Sequence, residues 1–163
     1  MQEDSRMNDE ADRPICEFDP ERLVQRLDTE IKGEPRAVAP VVDRIMKEVA
    51  TMGCAADHEF EIRLALSEAI ANAVRHGCRN DPSKRVRICV ECQAERGILI
   101  VVEDPGEGFD PSQLPSPIES EQIFRSGGRG VFLINRFMDE VLYEKGGTLI
   151  KMRKKGTCPP SRK

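Results

Sequence analysis

The run KRVRICVECQAE, residues 84–95, alternates polar and apolar positions, and GILIVVED, residues 97–104, is apolar almost throughout. Period-two alternation marks a strand with one buried face. A short unbroken apolar run bounded by turn residues marks a strand buried on both faces. With Arg96 and Gly97 between them, the two runs predict a hairpin whose second strand is central in its sheet. A second hairpin is predicted from EVLYEK, residues 140–145, and TLIKMRKK, residues 148–155, turning at Gly146-Gly147. RLVQRLDTEIKG, residues 22–33, alternates imperfectly, and Leu23, Leu27 and Ile31 also suit a helix; we read it as a strand ended by Gly33.

Two stretches change to helical spacing. In residues 36–53, Val38, Val42, Ile45, Met46 and Val49 recur near every third or fourth position, Pro35 and Pro40 fall where a first turn tolerates proline, and Gly53 ends the helix. The second helix is predicted over residues 60–76, with Asp57 as N-cap and Gly77 as stop. At about 100° per residue, Phe60, Ile62, Leu64, Leu66, Ile70, Ala71, Ala73 and Val74 share one arc. Glu61, Glu68, Asn72, Arg75 and His76 share the other, with Glu68 and Asn72 neighbours at i, i+4. His76 reads as a cap at the helix C-terminus. The segment at residues 80–83, NDPS, is a turn, and a short helix is predicted over residues 131–138. The order strand, two helices, hairpin, loop, helix, hairpin predicts an α+β two-layer sandwich: a mostly antiparallel mixed sheet with helices on one face.

Composition narrows the function. The chain has 163 residues, enough for one core. With no Trp and one Tyr, that core must be aliphatic. A net charge of −4 supplies no general field for nucleic acid, and no apolar run is long enough to span a bilayer. Lacking a signal-like N-terminus, the chain reads as cytoplasmic, which makes its six cysteines reduced thiols. Cys89 and Cys92 form a C-x-x-C, but three positions along a strand separate its faces, and no second pair completes a zinc site. Residues 1–20 are acid-rich and aperiodic and read as a disordered extension; residues 21–155 form the domain; residues 156–163 are a flexible basic tail.

The chemistry concentrates in residues 103–134. Asp104-Pro-Gly-Glu-Gly closes a buried strand, where Gly106 and Gly108 let a ligand approach the backbone and Asp104 can accept a hydrogen bond from an amine. Gly127-Gly128-Arg129-Gly130 precedes an apolar helix, whose N-terminal N–H groups attract phosphate. Pro111, Pro115 and Pro117 lie in the aperiodic segment between, which suits a lid. One end thus fits a base and the other phosphate, yet there is no G-x-x-x-x-G-K-[ST].

Three motifs, SEAIANAVRHG, EDPGEGFD and RSGGRGVFLI, resemble the N, G1 and G2 boxes of the GHKL ATPase superfamily. Within it, LALSEAIANAVRHG and GRGVFLINRFMDEV are most similar to the bacterial anti-sigma factor serine/threonine kinases. The resemblance implies the Bergerat ATP-binding fold and binding of ATP with Mg²⁺. By it, Glu68 is the general base toward a serine hydroxyl or water, and Asn72 is the magnesium ligand. Asp104 accepts from the adenine amino group, beside Gly106 and Gly108. Gly127, Gly128, Arg129 and Gly130 cradle phosphate. Arg125 and Arg129 are alternative γ-phosphate contacts, since the G2 register is ambiguous by one residue at Arg125 and Ser126. Thr148 resembles a threonine near adenine, although strand propensity accounts for it equally well. The resemblance further implies a homodimer, a small anti-sigma factor antagonist as serine substrate, and a sigma factor as partner, with no direct nucleic-acid or membrane contact. Two rivals use the same boxes: an ATP-gated binding module without phosphotransfer, and a slow ATPase.

Overall fold

Five strands form one sheet in the order β1-β2-β3-β5-β4, comprising β1 Leu23–Lys32, β2 Arg85–Gln93, β3 Gly97–Glu103, β4 Glu140–Glu144 and β5 Leu149–Lys154. The computed structural model describes residues 23–53, 56–93, 96–109 and 129–156. The acidic extension at residues 1–20, the proline-bearing segment and nearly all of the basic tail lie outside them. All four pairings are antiparallel, so the mixed character expected of the sheet is absent among the described strands. Register places Val90 opposite Ile100, and Ile100 opposite Met152, on one face. Val86, Ile88, Val90, Ile98, Ile100, Val102, Ile150 and Met152 join the main core there. β3 is buried along nearly all its length, as its unbroken apolar run requires. Cys89, Leu99, Val101 and Leu149 form a second apolar cluster on the opposite face.

The helices α1 Val38–Met52, α2 Glu59–Asn72 and α3 Arg129–Phe137 cover the first face. α2 packs between α1 and α3. With neighbours on three sides it buries a wide arc: Ile62, Ala65, Leu66, Ala69 and Ile70. Phe60 departs from the predicted arc; it is 72% exposed and meets Phe137 of α3 edge-on at 6.3 Å. α1 ends as expected, with Gly53 left-handed at φ 74°. β5 is tied to both flanking helices by Lys154, whose Nζ donates to the Phe137 carbonyl at 2.6 Å and pairs with Glu61 at 2.7 Å. That ammonium, donating a hydrogen bond to it, lowers the Glu61 carboxyl below the usual range.

Both predicted ends of the second helix need correction. The N-cap is His58 rather than Asp57, and its side chain makes no capping hydrogen bond. Gly77 does not stop the helix in a left-handed turn. Instead α2 widens into a π-helical turn over Ala73–Gly77, closed by Cys78 N–H donating to the Ala73 carbonyl at 2.9 Å. Single π-turns of this kind concentrate at functional sites.

The cysteines also differ from expectation. Cys78 is free and buried, but Cys89 and Cys92 are each disulfide-bonded. Their spacing on one strand sends them to opposite faces, which rules out a bridge between the two. Among the described residues, no helix is long and apolar enough to cross a membrane.

Candidate functional site

The π-turn sets the geometry of the deep end. It brings Gly77 against the end of β3 so closely that a methyl group on Gly77 would lie 2.2 Å from Asp104 Cγ. Gly106 packs on the same spot, 2.8 Å from Gly77 Cα by the same measure. Asp104 is held by its own turn: the Gly106 N–H donates to Oδ1 at 2.8 Å. Its backbone N–H donates to the Thr148 carbonyl at 2.9 Å, joining the turn to the start of β5. Burial raises the Asp104 carboxyl above the usual aspartate range; the Gly106 hydrogen bond opposes that shift and the nearby Glu103 charge adds to it. A half-buried carboxylate with one oxygen engaged leaves the other to accept a ligand donor.

The loop after Asp104 locks onto the β4–β5 turn. Phe109 N–H donates to the Gly146 carbonyl at 2.8 Å. Gly108 sits at φ 77°, and a methyl group there would lie 2.0 Å from the Gly146 oxygen. Only glycine meets both demands without displacing backbone. Gly108→Ala is therefore expected to cost about 1–2 kcal/mol from the left-handed conformation alone, more with the clash, and to show as a lower unfolding midpoint.

At the other end, the stripe of α2 faces the first turn of α3. A methyl group on Gly130 would lie 2.6 Å from Glu68 Oε2 and 3.0 Å from Asn72 Nδ2. The carboxylate and the amide thus lie together at a helix N-terminus, where N–H groups without intrahelical partners favour negative charge. Glu68 and Asn72 are each partly exposed, open to ligand and solvent.

Between the two ends lies a cavity of about 400 Å³. Val102, Ile134, Ile150, Ala69 and Ala73 give it apolar walls, while Asn72, Asp104, Thr148 and the backbone of Gly108 and Gly147 supply polar edges. A mostly apolar hollow with few convergent polar groups is the usual form of a small-molecule site. Among the sequence-predicted residues, the structure gathers Asn72, Asp104, Gly108 and Thr148 on the lining, with Glu68 and Gly130 meeting beside Asn72. Thr148 lies just before β5, its hydroxyl donating to the Lys145 carbonyl at 2.9 Å. Arg125, Gly127 and Gly128 lie outside the described residues, as does the side chain of Arg129. His76 lines the cavity, where sequence reasoning had made it a helix cap. Tyr143 and Phe109 also line it and were missed. The chain's single tyrosine, on an alternating strand, was the available signal.

The donor set suits a hydrated divalent cation held chiefly by phosphate. Mg²⁺ takes one or two protein oxygens and completes its shell with phosphate and water. Among the described residues no cluster of three or more His, Cys, Asp and Glu side chains forms an all-protein cage. Asn72 beside Glu68, against the glycine where a side chain would block approach, fits the sparser arrangement.

The histidine kinase-like ATPase domain matches residues 31–154. Two proteins named serine-protein kinase RsbW, from Staphylococcus epidermidis and from Staphylococcus aureus (strain JH9), are each 36% identical over 110 residues, which covers 63% of this chain and 69% of theirs.

Proposed function

The chain belongs to the histidine kinase-like ATPase family, and from that premise we propose that it is an ATP-dependent serine/threonine protein kinase acting as an anti-sigma factor. Its substrate is a small antagonist protein, which it phosphorylates on serine, and its second partner is a sigma factor whose release depends on that antagonist. It works in the cytoplasm, as a homodimer, within the control of transcription.

The observation that carries this reading is the meeting of Glu68 and Asn72 at Gly130, at one end of a cavity whose other end is Asp104. Asp104 accepts from the exocyclic amine of adenine with the oxygen that Gly106 leaves open. The apolar walls enclose the base, and Gly106 and Gly108 keep the backbone close to it. The triphosphate extends toward the N-terminus of α3, where Gly127, Gly128 and Gly130 form the cradle and Arg125 or Arg129 neutralises the γ-phosphate. Asn72 supplies an oxygen ligand for Mg²⁺, which when bound neutralises phosphate charge. Glu68 removes the proton from the serine hydroxyl as its oxygen bonds to the γ-phosphorus and the bond to the leaving ADP oxygen breaks. Two named serine-protein kinases at 36% identity support phosphotransfer over the binding-only alternative.

The test is incubation of the full chain with γ-labelled ATP, Mg²⁺ and the candidate antagonist. Label is expected on a serine of that protein, and omission of Mg²⁺ is expected to abolish it. Bound ATP with unlabelled antagonist refutes the kinase, and phosphate release without a protein acceptor assigns a slow ATPase instead.

A further inference from the structure

Tyr143 is the only tyrosine in a chain without tryptophan, and it stands at the cavity wall. β4 carries it opposite Ile150, another lining residue, on the helix-facing side of the sheet. Its ring meets Phe109 edge-on, centroids 5.2 Å apart and planes at 73°. Phe109 belongs to the loop that opens with Asp104, so the aromatic pair closes the same end of the cavity as the carboxylate. The Tyr143 hydroxyl is buried and has no hydrogen-bond partner among the described residues. Burial pushes the phenol up to about 12, so at neutral pH it is a proton donor. A buried donor left unmade is costly, and such groups in native proteins usually await a water or a ligand.

We propose that Tyr143 reads the purine of the bound nucleotide, its hydroxyl donating to N1, the pairing-edge ring nitrogen beside the exocyclic amine, while Asp104 accepts from that amine. The inference rests on the nucleotide reading above and extends it to base choice. Adenine offers an amine donor beside ring-nitrogen acceptors. Guanine offers, on its pairing edge, a carbonyl beside an N–H. An acceptor and a donor on one wall match the first pattern and oppose the second, and mismatched buried polar groups discriminate more strongly than shape alone. Phe109 holds the phenol ring in place rather than touching the base's polar edge.

Tyr143→Phe keeps the ring and its packing and removes only the hydroxyl. ATP affinity is expected to fall about ten-fold, and the preference for ATP over GTP to shrink by a similar factor. Deaza analogues identify the acceptor. 1-Deaza-ATP is expected to bind the parent about ten-fold more weakly than ATP but to bind the variant no more weakly than ATP, while 3-deaza- and 7-deaza-ATP show no such coupling to Tyr143. With no tryptophan present, tyrosine emission reports Tyr143 alone and is expected to change on titration with ATP. A parent protein that binds no adenine nucleotide overturns the functional reading itself. A parent that binds ATP, with Tyr143→Phe equal to it in affinity and base preference, overturns this inference alone. So does the absence of coupling at the 1-deaza position. Matching thermal unfolding of the two proteins separates a lost contact from a damaged fold.

Discussion

Glu68→Ala is expected to lower phosphotransfer to the antagonist by about 10²–10⁴-fold, the usual contribution of a positioned general base, while ATP affinity stays within a few-fold of the parent. The asymmetry follows from where Glu68 stands. It meets Gly130 beside Asn72, at the α3 end of the cavity, and is absent from the cavity lining. Removing it takes away a proton acceptor for the attacking hydroxyl and leaves the apolar walls, Asp104 and the glycine loop as they are. It also removes a negative charge near the proposed phosphate position, which is expected to favour binding slightly. Glu68→Gln serves as the companion variant, since it keeps shape and removes basicity, and it is expected to be impaired comparably. Single-turnover transfer of labelled phosphate checks the first expectation and equilibrium nucleotide binding the second. If both variants transfer phosphate at the parental rate, the base is another group. If both lose ATP binding with transfer, Glu68 belongs to the binding machinery.

Which parts of this were readable in advance follows from how local each signal is. β2 and β3 were visible because alternation and an unbroken apolar run depend only on which faces are covered. The pairing of Glu68 with Asn72 was visible because i, i+4 spacing fixes neighbours on any helix. The ends of α2 were misread for a reason specific to its sequence. Asp57 is a good capping residue by type, yet the helix begins after His58. Gly77 is a good stopping residue by type, yet it sits in a π-turn, where the absence of a side chain admits Asp104. Glycine serves both purposes, and only the strand packed against it decides which. The contact between Tyr143 and Phe109 was invisible because it joins the loop after β3 to β4, more than thirty positions away, a relation no local period encodes. The disulfide state of Cys89 and Cys92 differs from the expected reduced thiols because that expectation rests on the whole chain's character, and local spacing does not reveal a partner distant in sequence.

These long-range contacts join the two parts of the deep end. The Asp104 N–H bonds the Thr148 carbonyl, the Phe109 N–H bonds the Gly146 carbonyl, and Gly108 leaves no room between them. The loop after Asp104 and the turn before β5 are therefore one rigid unit. A ligand contact at Asp104 acts against a prepaid geometry, which reduces the ordering cost of binding.

Asp104→Asn is expected to weaken ATP binding by about 10–100-fold and, at neutral pH, to make the ligand-free protein more stable. The two effects have one origin. Burial raises the Asp104 carboxyl, so the fold favours its protonated form and bears a cost once the group ionises. A raised value in the folded state means stability that is present at low pH and lost as pH rises through that raised value. The parent should thus fall behind the variant as pH climbs from the ordinary aspartate value of 3.8 upward, with the gap constant at neutral pH. Asparagine has no charge to bury and keeps an oxygen for the Gly106 N–H. Holding that oxygen in place turns the amide nitrogen toward the ligand, so a donor meets the adenine amine where an acceptor stood. The same nitrogen suits a carbonyl, so the preference for ATP over GTP should narrow or invert. Thermal unfolding across pH without nucleotide, with ATP and GTP titrations at neutral pH, checks both halves. Equal affinity for ATP in parent and variant would remove Asp104 from base recognition. A variant less stable than the parent at neutral pH would show that an ion pair or hydrogen bond, rather than buried charge, governs this carboxylate.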